Sequence, residues 1–186
     1  TKNKLNLSID PTLHSIAEIE KIKLLFNNSN IALEFIKENP IDMLWKNQPA
    51  YPFSKAFIHK EKYSGESSLK KINKIQKILK KNSINFYIFN SLDSIAWLLN
   101  IRGNDVQYTP LLLCYLIIPN KGKVELFIDE KKIQNIKRIV KNYVNFHSFD
   151  NIDKFIEKIN LKDVFGFDVS ETPYHFKNLC LSKKIK

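Results

Sequence analysis

Apolar positions along the chain recur with two periods, and the switches between them mark the elements. Leu5, Leu7 and Ile9 alternate with polar residues, which predicts a half-buried strand. Asp10-Pro11 reads as a helix start, with Asp capping free amides and Pro suited to the first turn. Leu13, Ile16, Ala17 and Ile19 or Ile22 then fall at helical spacing up to about Phe26, where Asn27-Asn28-Ser29-Asn30 ends the run. Ile31 to Ile36 reads as a second strand. Asn39-Pro40 to Pro52, with Trp45, Pro49 and Pro52, loses periodicity and reads as a connector. From Ser67 the helical period returns. Leu69, Ile72, Ile75, Ile78 and Leu79 are expected to face inward, with Lys70, Lys71, Lys74, Lys77, Lys80 and Lys81 covering a solvated face.

Further along, Ile84 to Phe89 reads as a buried strand and Ser91 to Leu99 as a short helix. Leu111 to Ile118 predicts a strand that Pro119-Asn120-Lys121-Gly122 turns back into Val124 to Ile128. A helix over roughly 130–141, a strand over 143–146, a helix over 150–159 and a strand over 164–169 follow. Thr172 to Phe176 reads as a helical turn, and Leu179 to Ser182 as a last strand. Strands alternating with helices, plus one hairpin, predict an α/β fold with a mixed β-sheet flanked by helices. Residues 1–36 form strand–helix–strand, too small to bury both faces of their strands, and are expected to be the tail of a domain.

Composition narrows the class. At 186 residues, 44% hydrophobic and 12% aromatic, the chain is globular. Its longest apolar run, Leu111 to Ile118, is far too short for a membrane span. Nothing at the N-terminus combines a basic start, an apolar stretch and a cleavage site, and Cys114 and Cys180 make no disulfide framework or metal spacing. A cytoplasmic, reduced protein with no membrane partner is expected. The net charge of +11 invites a nucleic-acid reading, but 28 of the 30 basic residues are Lys. Lys, Ile and Asn, all with AT-rich codons, make up 73 of 186 residues, so genome bias on solvated positions accounts for the charge. Nucleic-acid readers lean on Arg, of which this chain has only two, and no nucleic-acid partner is expected.

Candidate chemistry is sparse. The histidines at 14, 59, 147 and 175 are scattered, with none spaced as a helical metal pair. No strained nucleophile turn and no glycine cluster for phosphate is present. Asp129-Glu130 falls at a helix start, where carboxylates answer the helix dipole. One segment stands apart. The apolar helix Leu92 to Leu99, expected to bury Ile95, Ala96 and Trp97, runs into Asn100-Ile101-Arg102-Gly103, with Gly103-Asn104 suited to a left-handed stop. The following loop carries Arg102, Asp105, Gln107, Tyr108 and Pro110, a polar set between buried elements. In a chain that writes Lys almost everywhere, Arg102 points to a need for planar geometry. Pairing with Asp105, or capping of the helix carbonyls, accounts for it equally well.

The segment LDSIAWLLNIRGNDVQYTPLLLCYLIIPNKGKVELFID also resembles a family. With NPIDMLWKNQP and KYSGESSLKKI upstream, FGFDVSETPYHF downstream and SIDPTLHSIAEIEKIKL at the start, it is similar to the three-domain, cytosolic-type Xaa-Pro aminopeptidases of the creatinase/prolidase group. Ser94, where that family often has Glu, and Cys114-Tyr115, where Ser-Tyr is common, depart from its pattern. The resemblance implies a creatinase N-terminal-domain-like fold, with residues 1–39 ending a first domain, 40–52 a connector and 53–186 a second domain. It implies a separate catalytic pita-bread domain, absent here, that holds dinuclear manganese and removes the residue preceding a proline. This chain would then hold no cofactor, and its partners would be that catalytic domain and the peptide. Arg102, Asn104, Asp105 and Tyr108 become candidates for lining the substrate channel, and no residue is expected to be catalytic. The alternative is a stand-alone binding protein or split-gene product with the same fold.

Overall fold

A computed structural model describes residues 5–186, which divide into two compact units. The first holds the described residues through Tyr51 together with Val169–Asn178, and the second holds Pro52–Asp168 with Leu179–Lys186.

In the first unit, strands β1 (Leu5–Ile9) and β2 (Ile31–Phe35) pair in parallel, with helix α1 (Ile16–Phe26) between them in sequence. The helix begins later than Asp10-Pro11 suggests. Ser15 is the cap: its hydroxyl accepts from the Glu18 N–H while the Glu18 carboxylate accepts from the Ser15 N–H, a reciprocal box. The Asp10 carboxylate instead closes a local turn on Thr12 and accepts from the Asn39 amide. Leu13 therefore lies outside the helix and is exposed, while Ile16 and Ile19 are buried. In β1 only Ile9 is buried; Leu5 and Leu7 are exposed. The connector contains a short helix, α2 (Pro40–Leu44), capped by Asn39 with Pro at its start.

The second unit is built on a five-stranded sheet. Its elements in chain order are β3 (Phe57–Ile58), α3 (Glu61–Ser64), α4 (Ser68–Lys81), β4 (Phe86–Phe89), α5 (Leu92–Leu99), β5 (Ile101–Arg102), β6 (Tyr115–Pro119) and β7 (Val124–Phe127). Then come α6 (Glu130–Ile133), α7 (Lys137–Val140), β8 (Val144–His147), α8 (Ile152–Ile156) and β9 (Phe165–Gly166). Strand β6 runs antiparallel to β4 and β7, whereas β8 pairs in parallel with β7, and β9 with β4. The mixed sheet that the alternation predicts is therefore present. Gly122, at φ +85°, supplies the left-handed residue in the β6–β7 hairpin. Leu116, Ile118, Val124 and Leu126 pack with Ile72 and Leu79 of α4, Ile95, Leu98 and Leu99 of α5, and Ile133 and Val140 of α6 and α7. Phe127 instead meets Phe155 of α8 edge-on, at 5.5 Å between centroids. Helices flank the sheet.

Some elements differ from the sequence reading. The run 130–141 breaks into α6 and α7, although Ile133, Ile136 and Val140 keep helical spacing and are all buried. Leu111–Cys114 is not strand, and regular pairing begins at Tyr115. Leu179 to Ser182 is not a strand but the end of α9 (Tyr174–Ser182), which carries on the helical turn expected over 172–176. Two-residue strands β3 and β5 pair antiparallel, Phe57 with Arg102 and Ile58 with Ile101. That pair fixes the backbone at Ile101 and Arg102.

Candidate functional site

The site begins at the end of α5. Its apolar face, Ile95, Ala96, Leu98 and Leu99, is buried, but Trp97 is 52% exposed and not part of the core. The left-handed stop is Asn100, at φ 50°, rather than Gly103-Asn104; Asn tolerates that region better than other residues with a Cβ. A helix C-terminus leaves carbonyls without intrahelical partners and carries roughly half a negative charge. Two cations answer it. Arg102 Nη1 donates to the Ala96 carbonyl, and also to the Ile101 carbonyl at 3.0 Å. Lys71 Nζ donates to the Trp97 carbonyl at 2.6 Å and to Asn100 Oδ1 at 2.7 Å. It also lies 4.5 Å from the centre of the Trp97 ring, within cation–π range.

Lys71 corrects the solvated-face expectation for α4, since the residue is 1% exposed while Leu69 and Ile78 point outward. Burial pushes its ammonium below the usual lysine range, the charge of Arg102 adds to this, and Glu66 opposes it. The Asn100 side chain completes the knot by donating to the Glu66 carbonyl at 2.9 Å, and its backbone carbonyl accepts from His59 N–H at 2.8 Å. Burial likewise lowers the Arg102 pKa from its ordinary value.

Arg102 does not pair with Asp105. The Asp105 carboxylate, fully buried, receives Lys132 Nζ at 2.6 Å, Ser54 Oγ at 3.0 Å and the Leu113 N–H at 2.9 Å. Ser54 Oγ in turn accepts the Asn104 N–H at 2.7 Å. Asp105 is thus the inner brace of the loop 103–114, with its carboxylate buried away from solvent. Gly103 is needed for close approach: a Cβ there would lie 2.2 Å from Leu112 Cδ2. Asn104 is exposed beside this brace, and Tyr108 sits at the far end of the loop, 96% exposed at φ 60°. A bulky residue with positive φ is an outlier, held here where Val106 and Thr109 bridge. Of the four residues expected to line a channel, Arg102, Asn104 and Tyr108 reach the surface and Asp105 does not.

The residues missed in sequence are Lys71, Lys132, Ser54 and Asn100. The signal for Lys71 was its place on the stripe Ser68, Lys71, Ile72, Ile75 and Leu79, at the spacing of a buried helix face. Elsewhere, His147 Nε2 lies 2.6 Å from a Glu125 carboxylate oxygen and its ring stacks on Phe127. Cys114 is buried beside the brace, and burial pushes its thiol up to about 12. Among the described residues, no group of three or more His, Cys, Asp and Glu could hold a metal ion.

The family described as the Creatinase/Prolidase N-terminal domain matches residues 47–186. A probable Xaa-Pro aminopeptidase P from Ajellomyces dermatitidis is 32% identical over 148 residues, covering 78% of this chain and 24% of that protein. A probable Xaa-Pro aminopeptidase P from Aspergillus fumigatus is 34% identical over 128 residues, covering 68% of this chain and 19% of that protein. The chain thus spans about a quarter or less of the length of these curated relatives. The solved X-prolyl aminopeptidase of Caenorhabditis elegans, described as a cytosolic enzyme with a di-nuclear active site, superposes with a TM-score of 0.86. That match covers 96% of this chain and 30% of the other at 24% identity, a likeness of fold. With the family match reaching from the connector through the mixed sheet to Lys186, this chain belongs to the creatinase/prolidase N-terminal domain family.

Proposed function

We propose that this chain is the non-catalytic N-terminal region of a cytoplasmic Xaa-Pro aminopeptidase, and that its second unit shapes the substrate channel. The observation that carries the reading is the 32% identity over 148 residues to a relative named for that activity. Residues 1–39 would end a first domain, 40–52 connect, and 53–186 form a second domain. The partners would be a catalytic domain of the same polypeptide and a peptide with proline in second position. The dinuclear metal of such an enzyme does not fit the described residues of this chain, which bring no suitable donor group together. Its ligands would lie in the catalytic domain, and no step through the metal is assigned to this chain.

What this chain contributes is position. Arg102 is fixed by the β3–β5 pair and by two carbonyls, and Asn104 and Tyr108 stand on a loop braced by a buried ion pair. Rigid support of this kind lets a guanidinium or an aromatic ring meet a peptide in one orientation, which lowers the entropy lost on binding. Reading the coding DNA beyond Lys186 tests the proposal. An in-frame domain with two Asp, one His and two Glu in metal-binding order is expected, and a stop codon directly after Lys186 would overturn it.

A further inference from the structure

The charge balance at the end of α5 does not close. Lys71 and Arg102 donate only to neutral oxygens, the carbonyls of Ala96, Trp97 and Ile101 and the amide oxygen of Asn100, and Lys71 also faces the Trp97 ring at 4.5 Å. Neither has a carboxylate within ion-pair distance among the described residues. The nearest acidic influence, Glu66, is engaged by Lys74 at 2.7 Å. The helix end offers about half a negative charge against two positive ones. Two partly desolvated cations side by side leave a positive field that attracts an anion.

The free hydrogen-bonding capacity lies in the same place. Both contacts of Arg102 are made through Nη1, so Nε and Nη2 have no protein partner among the described residues. Arg102 is half-buried and neither nitrogen is fully enclosed, so both keep some contact with solvent. These two nitrogens form the edge of a guanidinium that matches a carboxylate with two parallel hydrogen bonds. Lys71 is too deeply buried to touch a ligand, but its charge adds to the field at that edge.

We infer that the outward Nε/Nη2 edge of Arg102, backed by the buried Lys71, is a carboxylate-binding site. Its ligand is the C-terminal carboxylate of a short peptide. Only the choice of a peptide as carrier rests on the aminopeptidase reading; the anion chemistry stands on the geometry. Lys71 acts here as a positioning residue. By holding the Trp97 carbonyl and Asn100 it removes the alternative acceptors toward which the Arg102 fork could turn inward, and its charge repels the guanidinium outward.

The chain has only two arginines, Arg102 and the exposed Arg138, so its ¹⁵N spectrum carries two Arg Nε–Hε signals, one serving as control for the other. The 186-residue chain is titrated with Ala-Pro-Ala, with the same peptide bearing a C-terminal amide, and with inorganic phosphate. The free acid is expected to shift the Arg102 signal saturably with Kd on the order of 1 mM, leaving Arg138 unmoved. The amide is expected to bind at least about tenfold more weakly. Lys71→Gln, which keeps a donor but removes the charge, is expected to weaken the acid roughly three- to tenfold. Arg102→Lys, followed through the Ile101 amide, is expected to weaken it about tenfold, and decides the matter if Lys71→Gln does not fold. Equal shifts by acid and amide, tighter binding of phosphate than of the peptide acid, or no saturable shift would each overturn the site. Unchanged affinity in folded Lys71→Gln would remove Lys71 from it. Binding to this chain combined with unimpaired turnover by Arg102→Lys full-length enzyme would leave the site standing and defeat only the channel reading.

Discussion

Replacing Asp105 by Ala removes the carboxylate on which the loop 103–114 depends. Three donors converge on it, Lys132 Nζ, Ser54 Oγ and the Leu113 N–H, and both charged side chains are 5% or less exposed. Without Asp105 the Lys132 ammonium stays buried with no counter-charge. Breaking a buried pair from one side typically costs about 3–5 kcal/mol, most of it from the orphaned charge. For a chain of this length each kcal/mol shifts Tm by about 2–4 °C, so a drop on the order of 6–20 °C is expected. Lys132→Met alone is expected to cost a comparable amount. The double variant is expected to recover at least ~1 kcal/mol relative to the sum, because no charge is then stranded. Circular-dichroism melts of the four proteins complete the cycle. Strict additivity, or an Asp105→Ala loss below about 1 kcal/mol, would show that the pair does not brace the loop.

Two further outcomes follow from the same region. Gly103→Ala places a methyl group against Leu112 and is expected to cost about 1–3 kcal/mol in a denaturant titration, whereas Gly65→Ala meets no neighbour and is strained only by its φ of 74°. Cys114 is pushed up to about 12 from 9.0, so above pH 9 the unfolded chain gives up that proton before the folded one. The thiol's contribution is therefore complete below about pH 9 and is lost as pH rises toward 12, and Cys114→Ala is expected to flatten the alkaline fall of stability measured by urea titration. A slope unchanged by the substitution would contradict this.

How far the sequence carried depends on the range of the forces involved. Sheet strands such as Tyr115–Pro119 and Val124–Phe127 announce themselves through apolar runs and a Gly turn, and the structure pairs them as expected. The start of α1 was misplaced, because Asp10-Pro11 is a local start signal that the chain uses for a turn, and the helix begins instead at the Ser15–Glu18 capping box. Leu179–Ser182 is too short for periodicity to separate strand from helix, and the preceding turn simply continues. The site was half legible. Arg102 stood out because Lys is the default in this chain, and the structure places it on the Ala96 carbonyl of α5, the capping reading left open. Lys71 and Lys132 did not stand out, because a lysine becomes an interior residue only through partners 26 to 29 positions away, at Trp97, Asn100 and Asp105. Those partners are set by tertiary packing of α4 and α6, which no local pattern encodes.

The central claim, that this region presents Arg102 to the peptide of an Xaa-Pro aminopeptidase, is tested most directly by steady-state kinetics. The full-length polypeptide carrying this chain is compared with its Arg102→Lys variant on an Xaa-Pro-Xaa peptide. Loss of one charge-assisted contact is worth roughly 1.5–3 kcal/mol, so kcat/KM is expected to fall about ten- to a hundredfold. Tm and metal content should stay nearly unchanged, since Lys can still reach a carbonyl of α5. Unaltered kcat/KM with a Tm lowered by several degrees would contradict the account and leave Arg102 as a helix cap alone.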